Sequence, residues 1–143
     1  MEAEQEPRRF GHAWVALCLA LAAHVADEAL TDFLSVYNPT VLTIRERYPW
    51  FPMPVFEFQT WLTGLITGIV LLLALSPFVY RGARWMVPLT YVFGTIMLLN
   101  GLGHIAGSFY LGRLMPGVYS SPLLLVTSIY LLYRAGAGNQ TVR

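Results

Sequence analysis

Residues 55–79 read VFEFQTWLTGLITGIVLLLALSPFV, a run with a single ionisable side chain, Glu57. A helix of about 20 apolar residues crosses a hydrocarbon core about 30 Å thick, so this run predicts a membrane-spanning helix. Three further apolar runs meet the same criterion, and the last of them is the shortest. The sequence therefore predicts an all-α integral membrane protein, a four-transmembrane-helix bundle over residues 12–134 with tails at 1–11 and 135–143. In chain order, the predicted spans cover residues 12–32, 55–79, 85–110 and 119–133.

The composition excludes most soluble classes of protein. Hydrophobic residues make up 56% of the chain and charged residues 12%, whereas a soluble domain carries about 25% charged residues. All nine cationic side chains are arginines, and they nearly balance eight carboxylates, so the chain lacks the basic patch that nucleic-acid binding requires. Cys18 is the single cysteine, which excludes an internal disulfide. Membrane lipid is the expected surrounding.

The connector between the first and second spans predicts a short helix at the membrane surface. Asn38-Pro39 is typical of an N-cap followed by proline at the first helical position, and the helix is expected to extend to about Tyr48. A proline-rich aromatic segment, residues 48–54, follows and predicts a rigid cap at the interface. The helix is amphipathic, a pattern that favours an interfacial position; its apolar residues are Val41, Leu42 and Ile44, and its charged residues are Arg45, Glu46 and Arg47.

The arginines also predict an orientation. Cytoplasmic loops carry an excess of arginine and lysine, and the side that holds both termini has the larger share here. We therefore expect a multi-pass protein with both termini in the cytoplasm. That side carries Arg8, Arg9, Arg81, Arg84, Arg134 and Arg143, against Arg45, Arg47 and Arg113 on the other.

Polar side chains inside the predicted spans are the best pointers to function. A charged residue at the centre of a membrane helix costs about 2.5 to 3.5 kcal/mol on insertion scales, so several together need a reason. With a rise of about 1.5 Å per residue, the polar residues of the first three spans lie in the same, non-cytoplasmic half of the membrane. One convergent site is therefore expected. Its members are His24, Asp27, Glu28 and Thr31 on one face of the first span, Glu57 and Thr60 in the second, and Asn100 and His104 in the third.

The pentad His24-Val25-Ala26-Asp27-Glu28 resembles the motif of the HXXEE family of small integral membrane proteins, with Asp at the first acidic position. Asn100, His104, Tyr110 and Pro116-Gly117 extend the resemblance over nearly the whole chain. That family has no characterised reaction, so the resemblance implies a site but no chemistry.

A looser resemblance is to the EXPERA domain of emopamil-binding sterol isomerases. Those four-helix units have a His-x-x-x-Glu in the first helix, an aromatic and proline-rich segment before the second, and a Glu near the start of the second. His24 and Glu28, residues 48–51 and Glu57 stand in those places. The resemblance implies protonation and deprotonation of a sterol double bond through a carbocation.

These residues lead to the hypothesis of a cofactor-independent isomerase or cyclase that acts on a sterol-like or terpenoid lipid. Burial favours the neutral form of a carboxyl group, and of two neighbouring carboxyls one can remain protonated and act as the acid. The predicted catalytic residues are Glu28, Glu57, His24, Asp27, His104 and Asn100. The predicted substrate-binding residues are Trp61, Thr31, Thr60, Phe56 and Trp50. The ring faces of the three aromatic residues would shield a cation.

Three alternatives stay open. His24, Glu28, Glu57 and His104 offer two imidazoles and two carboxylates, a ligand set that suits iron or zinc. A non-catalytic protein that binds or transports a lipophilic ligand is the second alternative, with an acidic residue that holds a cationic amine. A structural polar network between helices is the third. In each functional case a lipophilic small molecule is the expected partner, and the chain is also a candidate homodimer.

Overall fold

Helices are the only regular secondary structure in residues 2–140, the part of the chain that the computed structural model describes, with side chains described for residues 7–137. The all-α prediction is therefore confirmed. The helices of this part are α1 (Glu2–Leu30), α2 (Leu34–Arg47), α3 (Phe58–Ala74), α4 (Ser76–Tyr80), α5 (Met86–Leu111) and α6 (Ser121–Gln140).

Within the described residues, three stretches are long and apolar enough to span a membrane, which marks the chain as a membrane protein. They are Pro7–Leu30, Phe58–Tyr80 and Met86–Leu111. The second combines α3 and α4, which are separated at Leu75 because Pro77 has no N–H for the carbonyl four residues earlier. The predicted fourth span, 119–133, corresponds to α6, which is not among the three.

The helix α1 lies at the centre of the packing, against α3, α4 and α6, while α6 also packs along α5. The contact between α5 and α6 is close because two glycines face it: a Cβ on Gly94 would lie 2.9 Å from Leu132, and one on Gly101 would lie 3.0 Å from Leu125. Small residues allow such an approach between membrane helices. On the other side of α1, the indole N–H of Trp14 donates a hydrogen bond to the Leu72 carbonyl over 2.9 Å.

A left-handed residue turns the chain from α1 into α2. Asp32 has φ of +57°, a conformation that aspartate tolerates better than most residues. The Phe33 N–H then donates to the Glu28 carbonyl over 3.0 Å, as in a Schellman motif. This turn places the Phe33 ring near Trp61 of α3 and His104 of α5.

The helix α2 begins five residues earlier than predicted, at Leu34 instead of Pro39, so the N-cap assignment of Asn38 is wrong. Asn38 lies inside α2, and its amide donates to the Phe56 carbonyl over 2.9 Å and accepts from the Phe56 N–H over 3.0 Å. The turn at Asp32 starts the helix at Leu34, which frees the Asn38 side chain to pair with the backbone of the extended segment before α3.

The predicted N-terminal tail, residues 1–11, is helical from Glu2 onward and continuous with α1. Gly11 packs so closely on the Tyr80 ring that a Cβ there would collide with it. At the other end, α6 extends to Gln140 into the predicted tail at 135–143. Met1 and residues 141–143 of the two predicted tails lie outside the described residues.

Candidate functional site

Two histidines and a glutamate meet in the interior of the bundle. Glu28 lies one turn after His24 on α1, and its Oε1 is 3.7 Å from His24 Nε2 and 3.1 Å from Nε2 of His104 on α5. The two imidazole rings meet edge to face with centroids 4.7 Å apart. His24, Glu28 and His104 are 0%, 5% and 4% exposed, respectively. We call this group the His–Glu–His cluster; one ligand atom from each member lies within 4.8 Å of the others.

Asp27 reaches the cluster through Ser120, the residue before α6. Asp27 Oδ2 accepts the Ser120 N–H over 2.9 Å and the Ser120 hydroxyl over 2.8 Å. A hydroxyl has one proton to donate, and the carboxylate is a stronger acceptor than the Gly117 carbonyl, 3.2 Å away. Ser120 Oγ therefore accepts the His24 Nδ1–H over 2.8 Å. This fixes the tautomer of neutral His24 and leaves a bare lone pair on Nε2.

Two buried imidazole nitrogens have no hydrogen-bond partner within the described chain: His24 Nε2 and His104 Nδ1. A buried polar atom without a partner costs about 1 to 3 kcal/mol. His24 Nε2 faces Glu28 Oε1, and the 3.7 Å between them is beyond hydrogen-bond length. An orphaned lone pair beside a carboxylate is the arrangement expected of a ligand atom for a cation.

Gly117, in the loop between α5 and α6, covers the cluster with its backbone. Its φ is +82°, and a Cβ there would lie 2.9 Å from His104 Cε1 and 3.0 Å from Glu28 Cγ. The Ser121 hydroxyl donates to the Gly117 carbonyl over 2.8 Å and holds the loop in place. Only glycine fits this position, because the conformation and the space both exclude a side chain.

Beside the cluster lies a cavity of about 290 Å³, which we call the aromatic cavity. Phe33 joins the two sites: its ring centroid lies 5.6 Å from that of His104 and 5.9 Å from that of Trp61. The cavity is lined by Phe33, Tyr37, Phe56, Thr60, Trp61, Gly64 and Leu65. Its walls are thus largely apolar, with no charged side chain.

Hydrogen bonds fix the wall that α2 contributes to the aromatic cavity. The Tyr37 hydroxyl donates to the Pro54 carbonyl over 3.0 Å, next to the paired Asn38 and Phe56. Partial burial raises the pKa of Tyr37 above its ordinary value, so the phenol keeps the proton that it donates. The segment before α3 is therefore held against α2 although it has no regular structure.

The sequence matches the family described as protein of unknown function with HXXEE motif, over residues 14–131. The chain belongs to this family. Searches of curated proteins and of solved structures found no match.

The geometry gives each residue of the HXXEE motif a place in the site of this family member. His24 supplies the bare Nε2, Glu28 contacts both histidines, and Asp27 holds Ser120, which in turn holds His24. The two acidic positions of the motif thus do different things here. One contacts the histidines directly, and the other orients one of them.

The structure does not bring Glu57 to the cluster. Glu57 is the exposed residue before α3, with extended backbone at φ −80° and ψ 148°. Four-residue helical spacing from buried Trp61 would place Glu57 on the same face, but that spacing does not apply to a residue outside the helix. Asn100 is half-buried one turn before His104, and no hydrogen bond within the described chain involves its side chain.

The predicted substrate-binding residues divide into two groups. Phe56, Thr60 and Trp61 line the aromatic cavity. Thr31 donates its hydroxyl to the Asp27 carbonyl over 2.6 Å, which places it at the end of α1. Trp50 is 77% exposed and contacts Tyr48, away from the cavity.

Sequence reasoning did not assign Ser120, Gly117 or Phe33 to the site. Pro116-Gly117 stood out as part of the family resemblance, and its glycine was the available signal for a close backbone approach. Ser120 and Phe33 carry no such signal: Ser120 lies at the edge of the predicted fourth span, one residue before α6 begins, and Phe33 lies in the connection after the first span.

Proposed function

We propose that this HXXEE protein is a metal-dependent membrane enzyme that acts on a lipophilic substrate, with His24, Glu28 and His104 as the ligands of a zinc or iron(II) ion. The observation that carries the proposal is the cluster itself: three ligand atoms within 4.8 Å of one another, among them a buried His24 Nε2 with no other partner. This ligand set is the one that the sequence offers as an alternative, with Glu57 left out.

The distances fit a common ion. Zinc binds histidine nitrogen and carboxylate oxygen at about 2.0 to 2.2 Å, so neighbouring ligand atoms in a tetrahedral site lie about 3.3 to 3.6 Å apart. Glu28 Oε1 lies 3.1 Å from His104 Nε2 and 3.7 Å from His24 Nε2. Small side-chain movements would bring all three atoms into coordination range.

The charges also fit. Asp27 and Glu28 bring two carboxylates to a site inside the bundle, and within the described chain both ion pairs of Glu28 are with histidines. Metals bind neutral histidine, and in that form the Ser120 contact keeps the proton of His24 on Nδ1 and leaves Nε2 free. A divalent cation would balance the two carboxylates, as buried charges require.

Three protein ligands leave a coordination position open, which is typical of catalytic rather than structural metal sites. Two histidines and one carboxylate suit both zinc and iron(II). The ion would supply Lewis acidity to a polar group of the substrate. The chain contributes the orientation of His24 through Ser120 and Asp27, and the packing of Gly117 and Phe33 excludes water.

The second candidate is the proton-transfer isomerase or cyclase of a sterol-like or terpenoid lipid, in line with the looser EXPERA resemblance. The 3.1 Å contact between His104 Nε2 and Glu28 Oε1 favours it, because such a pair can exchange a proton. Glu57 is too exposed to serve as the partner acid, so both proton-transfer roles would belong to the cluster.

Metal analysis of the detergent-purified protein separates these candidates. After incubation with Zn²⁺ or with Fe²⁺ under anaerobic conditions, and removal of free ion, we expect about one ion per chain because the cluster forms one site. Glu57→Gln is the matched control and is expected to bind the same amount. Protein that stays metal-free under both conditions would contradict the metal proposal and favour proton transfer.

We also propose a four-span topology with both termini in the cytoplasm and α2 at the membrane surface. The helix α6 has 20 residues, enough to cross about 30 Å, and the exposed Leu123, Val126 and Ile129 would face lipid. The arginine distribution supports the orientation.

Cysteine labelling tests this topology in a Cys18→Ser background. An impermeant maleimide added to intact cells is expected to label Arg113→Cys, between α5 and α6, and not Arg84→Cys, before α5. Both residues are exposed, so both should be labelled after lysis. Labelling of Arg84→Cys alone in intact cells would show the opposite orientation.

A further inference from the structure

The aromatic cavity continues the candidate site on the far side of Phe33. Phe33 contacts His104 of the cluster and Trp61 of the cavity, so its ring lies against both sites. Phe33 lies in the short turn between α1 and α2, outside both helices. A rotation of this one side chain would join the cavity to the cluster.

The lining defines what the cavity accepts. Its walls are mainly aromatic and aliphatic, and the one phenol, Tyr37, already donates its hydroxyl proton to Pro54. A charged headgroup would find no partner there, and burying it unpaired would be costly. An apolar group needs no hydrogen-bond partner and can be buried there without this cost. The polar group of a substrate would instead lie at the cluster.

The volume of the aromatic cavity narrows the class of ligand that it can hold. At about 290 Å³, the cavity is just smaller than the range of about 300 to 1,000 Å³ that holds drug-sized ligands. It suits one linear hydrocarbon segment better than a rigid four-ring sterol. The cavity is also bounded by α3, a helix of the membrane-spanning part, so a chain can arrive directly from lipid.

We propose that the aromatic cavity holds the hydrocarbon chain of a linear, single-chain lipid substrate, fatty acyl or isoprenyl, and that Phe33 is the door through which its polar end reaches the His–Glu–His cluster. This assignment rests on the proposed function for the chemistry at the cluster. The chain site itself stands on the cavity and its lining.

Two glycines on α3 offer a matched pair of variants. Gly64 lines the cavity, and a Cβ added there meets nothing within 4 Å; Gly68, one turn later, is equally open but is not part of the lining. Gly64→Leu is therefore expected to fill the cavity without a backbone clash. Gly68→Leu makes the same chemical change on the same helix, and leucine favours helix over glycine at both positions.

The experiment uses photoreactive probes with the full chain in detergent: a diazirine fatty acid, a diazirine prenol and a diazirine sterol. Cross-linked peptides are mapped by mass spectrometry. We expect a linear probe to label the peptides that contain Phe56 and Trp61. In Gly64→Leu, the concentration of probe that gives half-maximal labelling is expected to rise about 10-fold, which corresponds to about 1.4 kcal/mol. Gly68→Leu should match the wild type, and Gly64→Ala should lie between. The two linear probes distinguish an acyl from an isoprenyl chain.

Metal content, measured on the same samples, separates this inference from the proposed function. Both leucine variants are expected to bind metal as the wild type does, which also shows that they fold. Equal labelling of Gly64→Leu and Gly68→Leu, or preference for the sterol probe, would overturn the linear-chain assignment whatever the metal result. Cavity labelling in a protein that binds no metal would support the chain site and reject the metal-dependent function.

Discussion

Glu28→Gln is expected to lower the affinity of the protein for Zn²⁺ or Fe²⁺ by at least about 100-fold, more than the 10 to 100-fold that loss of an outer-shell partner typically costs. The substitution keeps the shape of the side chain and removes its negative charge. Glu28 is the member of the cluster whose oxygen lies near both histidines, so no other described side chain can replace it. Competition titration against a chromophoric chelator measures the change.

Two variants bracket this result. Glu57→Gln makes the same change at an exposed position outside the cluster and is expected to leave the affinity unaltered. Ser120→Ala removes the acceptor for His24 Nδ1–H and should weaken binding by about 10 to 100-fold. If Glu28→Gln binds metal as tightly as Glu57→Gln does, Glu28 is not a ligand and the assigned site is wrong.

Gly117→Ala is expected to abolish measurable metal binding and to lower the thermal stability of the protein. The added methyl group would lie 2.9 Å from His104 Cε1 and 3.0 Å from Glu28 Cγ, so it must displace two of the three ligands. The left-handed backbone conformation destabilises the folded state by about 1 to 2 kcal/mol for any residue with a Cβ. Metal titration and a thermal unfolding curve give the two effects separately.

Gly112→Ala is the control for backbone strain. Gly112 has φ of +62°, and a Cβ there meets nothing within 4 Å, so this variant carries the conformational cost without the contact. We expect it to lose some stability and to bind metal normally. Equal metal affinity in Gly117→Ala and wild type would mean that the loop does not pack on the cluster as described.

Much of the site could be predicted from the sequence, because helical spacing and depth are enough for residues within helices. His24 and Glu28 share a face of α1, and the depth of His104 in the third span matches theirs. The same reasoning places Glu57 with them, and it fails because the chain is extended before α3. Ser120 could not be predicted at all, since its role depends on how the loop before α6 returns to α1.

The same limit applies to the fold. Runs of apolar residues predicted the three long candidate spans to within a few residues, except where the first extends toward the N-terminus. Asn38-Pro39 carries a common helix-start signal, yet the turn at Asp32 starts α2 earlier. Local signals of this kind are overridden when a side chain finds a better partner far away, as Asn38 does at Phe56.

The link between Asp27 and Ser120 joins residues that are 93 positions apart in the chain, and it has a consequence for biosynthesis. The ligands on α1 are synthesised first, and His104 and the serine that orients His24 follow much later in the chain. On the proposed function, metal is bound at full affinity only after α6 has docked and Ser120 orients His24, because binding and folding are coupled. Metal occupancy would then report whether a chain has completed its assembly, which makes it a direct quality measure for preparations of this protein.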